Sequence, residues 1–517
     1  MIILKASTFL KANNNPRSGV LTIALILISI LFLSVLSGIL AAFGNLYLLL
    51  ALLGLYGVFF ILSAPVGWTV WIIFWAAFLI TGPSAYFLRF TQLQWLTVLV
   101  SAALLLPVLS YLLRSKTRIS SATVSSNLLW PGIFLLLLAF STVITDPKFA
   151  DFVNASRHYL LMWPIMLVFM FGLVRQEMVV QLWKALMIVA ILQFPMAIYQ
   201  YFFVALKSAR SSPWDAVIGT FHGNIEGGGD SAAMAVMLLL AMLLGIALWR
   251  GGKLHGVWMA LVIMSGLGAL ALAEVKASVM LLPVVIGLYY RKELLQRPIE
   301  AIVAVVGAIL LVGGLLFGYE KIHYENNPAA GMNQAISTYD RIIRAIDPEN
   351  ETAQGLGRVA QLVKWWDVNV KSGDVHHSLF GYGMAATYAS RFGVGELVER
   401  YSYPINDTST LVLLWETGIL GHLAFLLILL SGAQTSGCSA KNEAIPEIHR
   451  LLLRVGETGL LLLAITLPYK QFHFSSVPIQ FLMMLMLGQA AYWSHLVSNN
   501  LGRLDAKTKY MPYAKIP

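Results

Sequence analysis

The sequence predicts an all-α polytopic integral membrane protein of about 12–14 transmembrane helices with one large helical periplasmic loop, and three observations carry that expectation. Of the 517 residues, 58% are hydrophobic and 12% charged, with a mean hydropathy of +0.75. A water-soluble globular domain could not keep such a surface wet. Apolar runs able to cross roughly 30 Å of hydrocarbon recur along nearly the whole chain, and helices are the elements that satisfy their own backbone there. The remaining charge is clustered, with one long polar segment between about Tyr319 and Asn406.

In chain order, spans are expected near residues 31, 55, 73, 102, 137, 166, 193, 240, 265, 284, 309, 419, 461 and 486. This divides the chain into 1–318, with about 11 spans; a loop, 319–407; 408–497, with about three spans; and a short basic tail, 498–517. The apolar stretch from Gly19 to Ala64 is far longer than a cleavable signal and reads as an uncleaved anchor.

A cytoplasmic N-terminus places about twenty of the 35 basic residues inside, among them Arg17, Arg114, Arg175, Arg250, Arg291, Arg450 and Arg503. About seven then fall in short outer loops and eight in the long one, so both termini are expected in the cytoplasm. The net charge of +10 is thereby explained by topology, not by nucleic acid. The single cysteine, Cys438, excludes an intrachain disulfide and a cysteine-rich metal cluster.

With that orientation, the ionisable residues that membranes disfavour gather on the outer side. Arg157 and His158 begin a span; Lys207 and Arg210 lead into GTFHGNIEGGGD (219–230); Glu274 and Lys276 sit in LALAEVKASVMLL; Lys470 and His473 lie in PYKQFHF. Ionisable groups at membrane depth mark a polar cavity or pathway by default. Each also has a plainer reading: helix ends snorkelling to water for Glu274 and Lys276, and a flexible connector for the glycine run. That run follows no strand and lacks the GK[ST] of a phosphate loop.

In the loop, GLGRVAQLVKWWDVNVK has Leu356, Val359, Leu362, Val363, Trp366 and Val370 at helical spacing, with Arg358, Gln361, Lys364 and Trp365 on other faces. Amphipathic helices on the outer surface are expected here and, more weakly, in MNQAISTYDRIIRAI, with a break at HHSLFGYG. His376 and His377 are adjacent, so their side chains diverge, and no H-x-x-x-H partner is present; no metal or cofactor is expected.

These elements together resemble the O-antigen polymerase and O-antigen ligase family, GT-C-type membrane glycosyltransferases. The resemblance lies in Arg358 and Trp365, then Leu379-Phe380-Gly381-Tyr382-Gly383, then Asn406-Asp407 opening a helix that reads L-x-x-x-x-E-T-G-I-L-G from Leu411 to Gly421. GTFHGN (219–224) is similar to the family's G-T-F-G-N turn, and AEVKASVMLL (273–282) to its S-R-G turn, with Lys276 where arginine is usual. The likeness covers roughly residues 150–495. Two departures, Asp407 where the ligase branch has a histidine-asparagine pair and lysine at 276, weigh against the ligase branch more than against the polymerase one.

The resemblance implies inverting glycosyl transfer from an undecaprenyl-diphosphate-linked oligosaccharide on the periplasmic face. A sugar hydroxyl attacks the anomeric carbon and polyprenyl diphosphate leaves, a step that needs a base and cations. Asp407 leads the base candidates, ahead of Glu226 and Asp230; helix capping is its plainer role. Lys276, Arg358, Arg210 and Arg157 are diphosphate candidates. Trp365, Trp366, Tyr382, Tyr403 and His377 are glycan candidates, although such aromatics more often anchor a helix in the interface. The expected function is polymerisation of lipid-linked repeat units, with ligase-type transfer to lipid A-core or protein as the alternative and a flippase or transporter as a second. Partners besides the lipid bilayer would include a chain-length regulator or an export complex. A flippase should show paired halves, charge spread through midplane helices and short outer loops, whereas here the charge is concentrated at the outer face beside one large helical loop.

Overall fold

In the computed structural model, contacts divide the chain into two units, Met1–Pro65 and Val66–Pro517. The structure describes residues 64–114, 126–145, 149–208, 213–273, 275–320, 347–348, 351–352, 355–389, 394–401 and 404–500. The spans expected near 31 and 55, most of the basic tail and the pattern at 332–346 lie outside the described residues.

The protein is an all-α membrane protein. The second unit runs through α1 (Val66–Leu88), α2 (Leu93–Arg114), α3 (Ser126–Thr145), α4 (Phe149–Tyr159), α5 (Trp163–Met170) and α6 (Gln176–Phe203). Then come α7 (Ser231–Arg250), α8 (Gly256–Leu272), α9 (Lys276–Tyr289), α10 (Arg291–Gln296) and α11 (Pro298–Glu320). The polar segment supplies α12 (Arg358–Trp365), α13 (Val375–Phe380) and α14 (Glu396–Arg400), and α15 (Ser409–Ser439), α16 (Glu447–Thr466), α17 (Phe472–Ser475) and α18 (Val477–Asn500) complete it. Strand structure in the polar segment is a two-residue pairing of Glu351–Thr352 with Gly355–Leu356.

Every span centre expected from residue 73 onward falls in a helix. Six helices among the described residues are long and apolar enough to cross a membrane: α1, α2, α3, α6 with its extension to Lys207, α7 and α15. The segment near 166 departs most from expectation. It is cut at residues 160–162 into α4 and the eight-residue α5, because Pro164 has no amide to donate and seeds a new helix at its first turn.

Helix α7 is buried on nearly all sides, as its uniformly apolar sequence requires. It packs against α8 and α16, while α15 lies against α3, α16 and α18. Small residues permit these approaches: Gly459 of α16 lies against Leu240 and Met486, where a β-carbon would come within 2.5 Å of the Met486 sulfur.

Helix α12 turns the opposite way from its apolar periodicity. Its buried residues are Ala360, Gln361 and Trp365, continued by Asn369, whereas Leu362, Val363 and Trp366 are exposed. The polar residues face inward because each has a partner there: Gln361 holds Asp407, and Asn369 accepts from the Tyr382 hydroxyl at 3.1 Å. The apolar stripe is left facing outward, as a helix lying in a membrane interface can present it.

Candidate active site

Two backbone junctions position the site. The first is the break in α15 at Gly418 (φ 66°, ψ −170°), in a region of backbone space open essentially to glycine. The break deprives preceding carbonyls of their helical partners, and in lipid such groups must be satisfied internally. The polar segment supplies the donors. Trp365 Nε1 donates to the Leu414 carbonyl at 3.1 Å, the Tyr382 amide to Trp415 at 2.7 Å and the Gly383 amide to Glu416 at 3.0 Å; Ser141 Oγ of α3 also donates to Glu416, at 2.9 Å. Thus the arginine-tryptophan helix, the GYG turn and the ETG helix of the sequence meet at one place.

The second junction clamps the GTF turn. Gln193 and Gln200, two turns apart on α6, are both fully buried. Gln200 Oε1 accepts from the Ile218 and Gly219 amides at 2.9 and 2.7 Å, and its Nε2 donates to the Gly219 carbonyl at 2.9 Å. Gln193 accepts from the Thr220 amide at 2.8 Å and donates to its hydroxyl at 2.7 Å, and that hydroxyl donates to the Phe78 carbonyl of α1 at 2.6 Å. Beyond the clamp, the Asp230 amide donates to the His222 carbonyl at 2.9 Å, closing the glycine run ahead of α7.

The two junctions frame the turn from Leu467 to Ser476, on which candidate residues converge. The Ser409 and Thr410 amides, which open α15, donate to the Lys470 and Leu467 carbonyls at 3.3 and 3.0 Å. The cap of α15 is Thr408, whose hydroxyl accepts from the Leu411 amide at 3.2 Å, so Asp407 is not the cap. Instead, Gln361 Nε2 donates to Asp407 Oδ2 at 3.1 Å and Gln361 Oε1 accepts from the Asp407 amide at 3.4 Å. Asp407 Oδ1 has no hydrogen-bond partner among the described residues.

On the same turn, the Arg358 guanidinium lies 4.9 Å from the Tyr469 ring centroid. His473 donates from Nε2 to the Leu463 carbonyl at 2.9 Å, which leaves Nδ1 facing the Ser409 hydroxyl at 2.8 Å. Asp230 lies near Lys470 and Ser476; burial raises its pKa to about 6, and those two neighbours only partly oppose the rise.

Arg157 and His158 reach this turn from α4. His158 Nδ1 lies 2.9 Å from the Phe474 carbonyl and carries the proton that it donates there. Nε2 is therefore an acceptor, and Arg157 Nη2 donates to it at 3.1 Å. Arg157 also approaches Gln94 Oε1 at 3.4 Å and lies 5.4 Å from the Trp95 ring centroid. His222 is near enough to Arg157 to feel its charge; burial first, then that charge, lowers the His222 pKa and keeps the imidazole neutral. A cavity of about 750 Å³ opens beside these groups, its wall including Gln92, Trp95, Arg157, His158 and Tyr388.

The other candidates are dispersed. Glu226 pairs with Arg89 at 2.8 Å on the surface, both side chains more than half exposed. Trp365 and Tyr382 are buried in an aromatic cluster with Trp415 and serve packing and the α15 break, with no face free for a sugar. His377 pairs with Asp374 at 2.7 Å and stacks on Tyr382; the pairing lowers the Asp374 pKa against a burial that would raise it. Trp366 remains exposed. Lys276 begins α9 after a short turn from α8, while its side chain, Arg210, Glu274 and Tyr403 lie outside the described residues. Sequence reasoning missed Gln193, Gln200 and Gln361, and with them Gln480, whose Nε2 donates to the His158 carbonyl at 3.2 Å, and Tyr388 in the cavity wall. The glutamines carried one signal, as uncharged amides inside otherwise apolar or amphipathic helices.

Compared with known proteins, the chain matches no family model and no curated sequence.

Proposed function

We propose that the protein is a polymerase that joins undecaprenyl-diphosphate-linked oligosaccharide repeat units of a surface or secreted polysaccharide by inverting glycosyl transfer on the periplasmic face of a bacterial inner membrane. The observation that carries this reading is the set formed by a carboxylate with one free oxygen, Asp407, and the cations Arg358, Lys470 and Arg157 on or beside the Leu467–Ser476 turn, with a cavity of about 750 Å³ opening on the Arg157 side.

In this reading Asp407 takes the proton of the attacking sugar hydroxyl, oriented by the Gln361 amide pair. Arg157 and Arg358 stabilise the charge that grows on the departing diphosphate. Asp230, whose pKa near 6 also suits proton transfer, is the second base candidate. The outward orientation agrees with the basic groups expected on the cytoplasmic side: Lys253, in the turn between α7 and α8, pairs at 2.7 Å with Glu447 at the start of α16, and Arg291, at the start of α10, pairs with Glu457 within α16.

The test is purified protein in lipid nanodiscs with lipid-linked repeat units and no nucleotide, products followed by mass. A ladder of multimers is expected, reduced about 100-fold or more in Asp407→Asn, as loss of a general base predicts. A product on lipid A-core or protein instead of a ladder would support the ligase reading, and no product from folded protein would exclude both.

A further inference from the structure

The aromatic residues singled out in the polar segment are committed elsewhere: Trp365 and Tyr382 to the cluster with Trp415, and Trp366 to the outward stripe of α12. A different indole reaches the cavity. Trp95, in the first turn of α2, lies in the cavity wall and is half-buried.

Local structure fixes that ring. Helix α1 ends at Arg89, which takes a left-handed φ of 53°, and the Phe90 amide turns back to the Ser84 carbonyl at 3.1 Å. The Trp95 amide then donates to the Gln92 carbonyl at 3.0 Å, so one tight turn sets the positions of Gln92 and Trp95. From α4, the Arg157 guanidinium lies over the indole, 5.4 Å from its centroid, and donates to Gln94 Oε1 at 3.4 Å. The cation–π contact occupies one face of the indole and ties its orientation to a second helix.

Around the ring, the cavity joins the two kinds of surface that a sugar presents. Leu99, one helical turn beyond Trp95 on α2, is 53% exposed and extends the apolar side, to which Val153 adds from α4. The polar side is Gln92 and Asn154. Asn154 precedes Arg157 by three residues on α4 and so shares its face. Neither the Gln92 nor the Asn154 side-chain amide makes a hydrogen bond among the described residues, so each keeps donors and an acceptor available. A pyranose ring has C–H groups on its faces, which pack on aromatic and aliphatic surface, and hydroxyls on its rim, each of which donates and accepts. Uncharged amides beside an indole match both. The cavity, about 750 Å³, lies within the roughly 300–1,000 Å³ of small-molecule sites.

We propose that Trp95, Gln92 and Asn154 form a carbohydrate subsite that holds a sugar of the lipid-linked oligosaccharide beside Arg157. The subsite deepens the function proposed above and rests on it for the choice of oligosaccharide. Because the diphosphate is bonded directly to the first sugar, a ligand whose diphosphate meets Arg157 brings that sugar into the same cavity.

The experiment uses a probe that cannot be turned over: the repeat-unit oligosaccharide released from its lipid, which has no diphosphate to leave. The full chain in nanodiscs is titrated with it and binding is read by saturation-transfer NMR, for the unmodified protein, Trp95→Leu, Trp95→Phe, Gln92→Leu and Asn154→Leu. Trp95→Leu should weaken binding about tenfold, the effect of one aromatic contact, and Trp95→Phe less. Gln92→Leu and Asn154→Leu should each weaken it about three- to tenfold, the effect of one or two hydrogen bonds, with the melting temperature unchanged because no protein partner is lost. Absence of binding to the unmodified protein would overturn the subsite. So would a loss confined to Trp95→Leu, which would leave the indole as a support for Arg157 or an interface anchor of α2. Binding that depends on Trp95, Gln92 and Asn154 without polymer formation from lipid-linked units would count against the polymerase alone, and polymer formation with binding independent of Gln92 and Asn154 against the subsite alone.

Discussion

Gly381 and Gly418 meet backbone to backbone: a β-carbon on Gly381 would lie 2.7 Å from the Gly418 nitrogen, and one on Gly418 would lie 2.3 Å from the Leu379 carbonyl. Both take positive φ, 73° and 66°. The close approach lets the amides of Tyr382 and Gly383 reach the carbonyls exposed by the α15 break. Gly418→Ala adds a dihedral penalty to a clash with immovable backbone, and should cost about 3 kcal/mol or more. A thermal melt in detergent checks this; a variant as stable as the unmodified protein would mean that α15 continues unbroken through residue 418.

Gln361 is held responsible for the direction of Asp407. Gln361→Leu removes the donor to Oδ2 and the acceptor for the Asp407 amide while leaving the carboxylate in place. Polymer formation should fall about tenfold, in kcat more than in KM, since a misdirected base loses transition-state stabilisation while substrate binding is retained. An unchanged kcat would separate Asp407 from the chemistry.

Asp230 should leave a pH signature. Its pKa is raised from 3.8 to about 6 by burial, so the folded state binds a proton more tightly than the unfolded chain does. The favourable contribution is fully present below pH 3.8 and is lost as pH rises through about 6. Melting temperature should therefore decline over that window in the unmodified protein more than in Asp230→Asn. Parallel profiles for the two proteins would show that Asp230 is solvated.

Gln200 and Glu226 make a contrasting pair. Gln200→Leu strips partners from two buried amides and a carbonyl in the GTF turn, a loss of about 3 kcal/mol or more at roughly 1–3 kcal/mol per unsatisfied group. Glu226→Ala removes an exposed ion pair and should change stability by less than about 1 kcal/mol. Denaturation of the two variants side by side tests whether the turn is held from beneath by α6 or from the surface by the Arg89 pair.

The amino-acid sequence by itself determined the helical membrane class and placed every span centre expected from residue 73 onward within a helix. Those properties depend on local apolar length and on the cost of charge in hydrocarbon, which are read residue by residue. Tertiary structure alone decided the roles within the cluster. Thr408 and Asp407 are adjacent residues of similar capping aptitude; the Thr408 hydroxyl caps the helix, and the Gln361 side chain, 46 positions from Asp407, directs the other's carboxylate. The helical spacing puts Trp366 on the apolar face and Trp365 off it, yet the Leu414 carbonyl just before the α15 break, 49 residues away, draws the Trp365 indole inward and Trp366 is left exposed. Hydrogen-bond partners over such separations exist only after the helices have packed, because a buried donor goes to whichever carbonyl the fold has left unpaired.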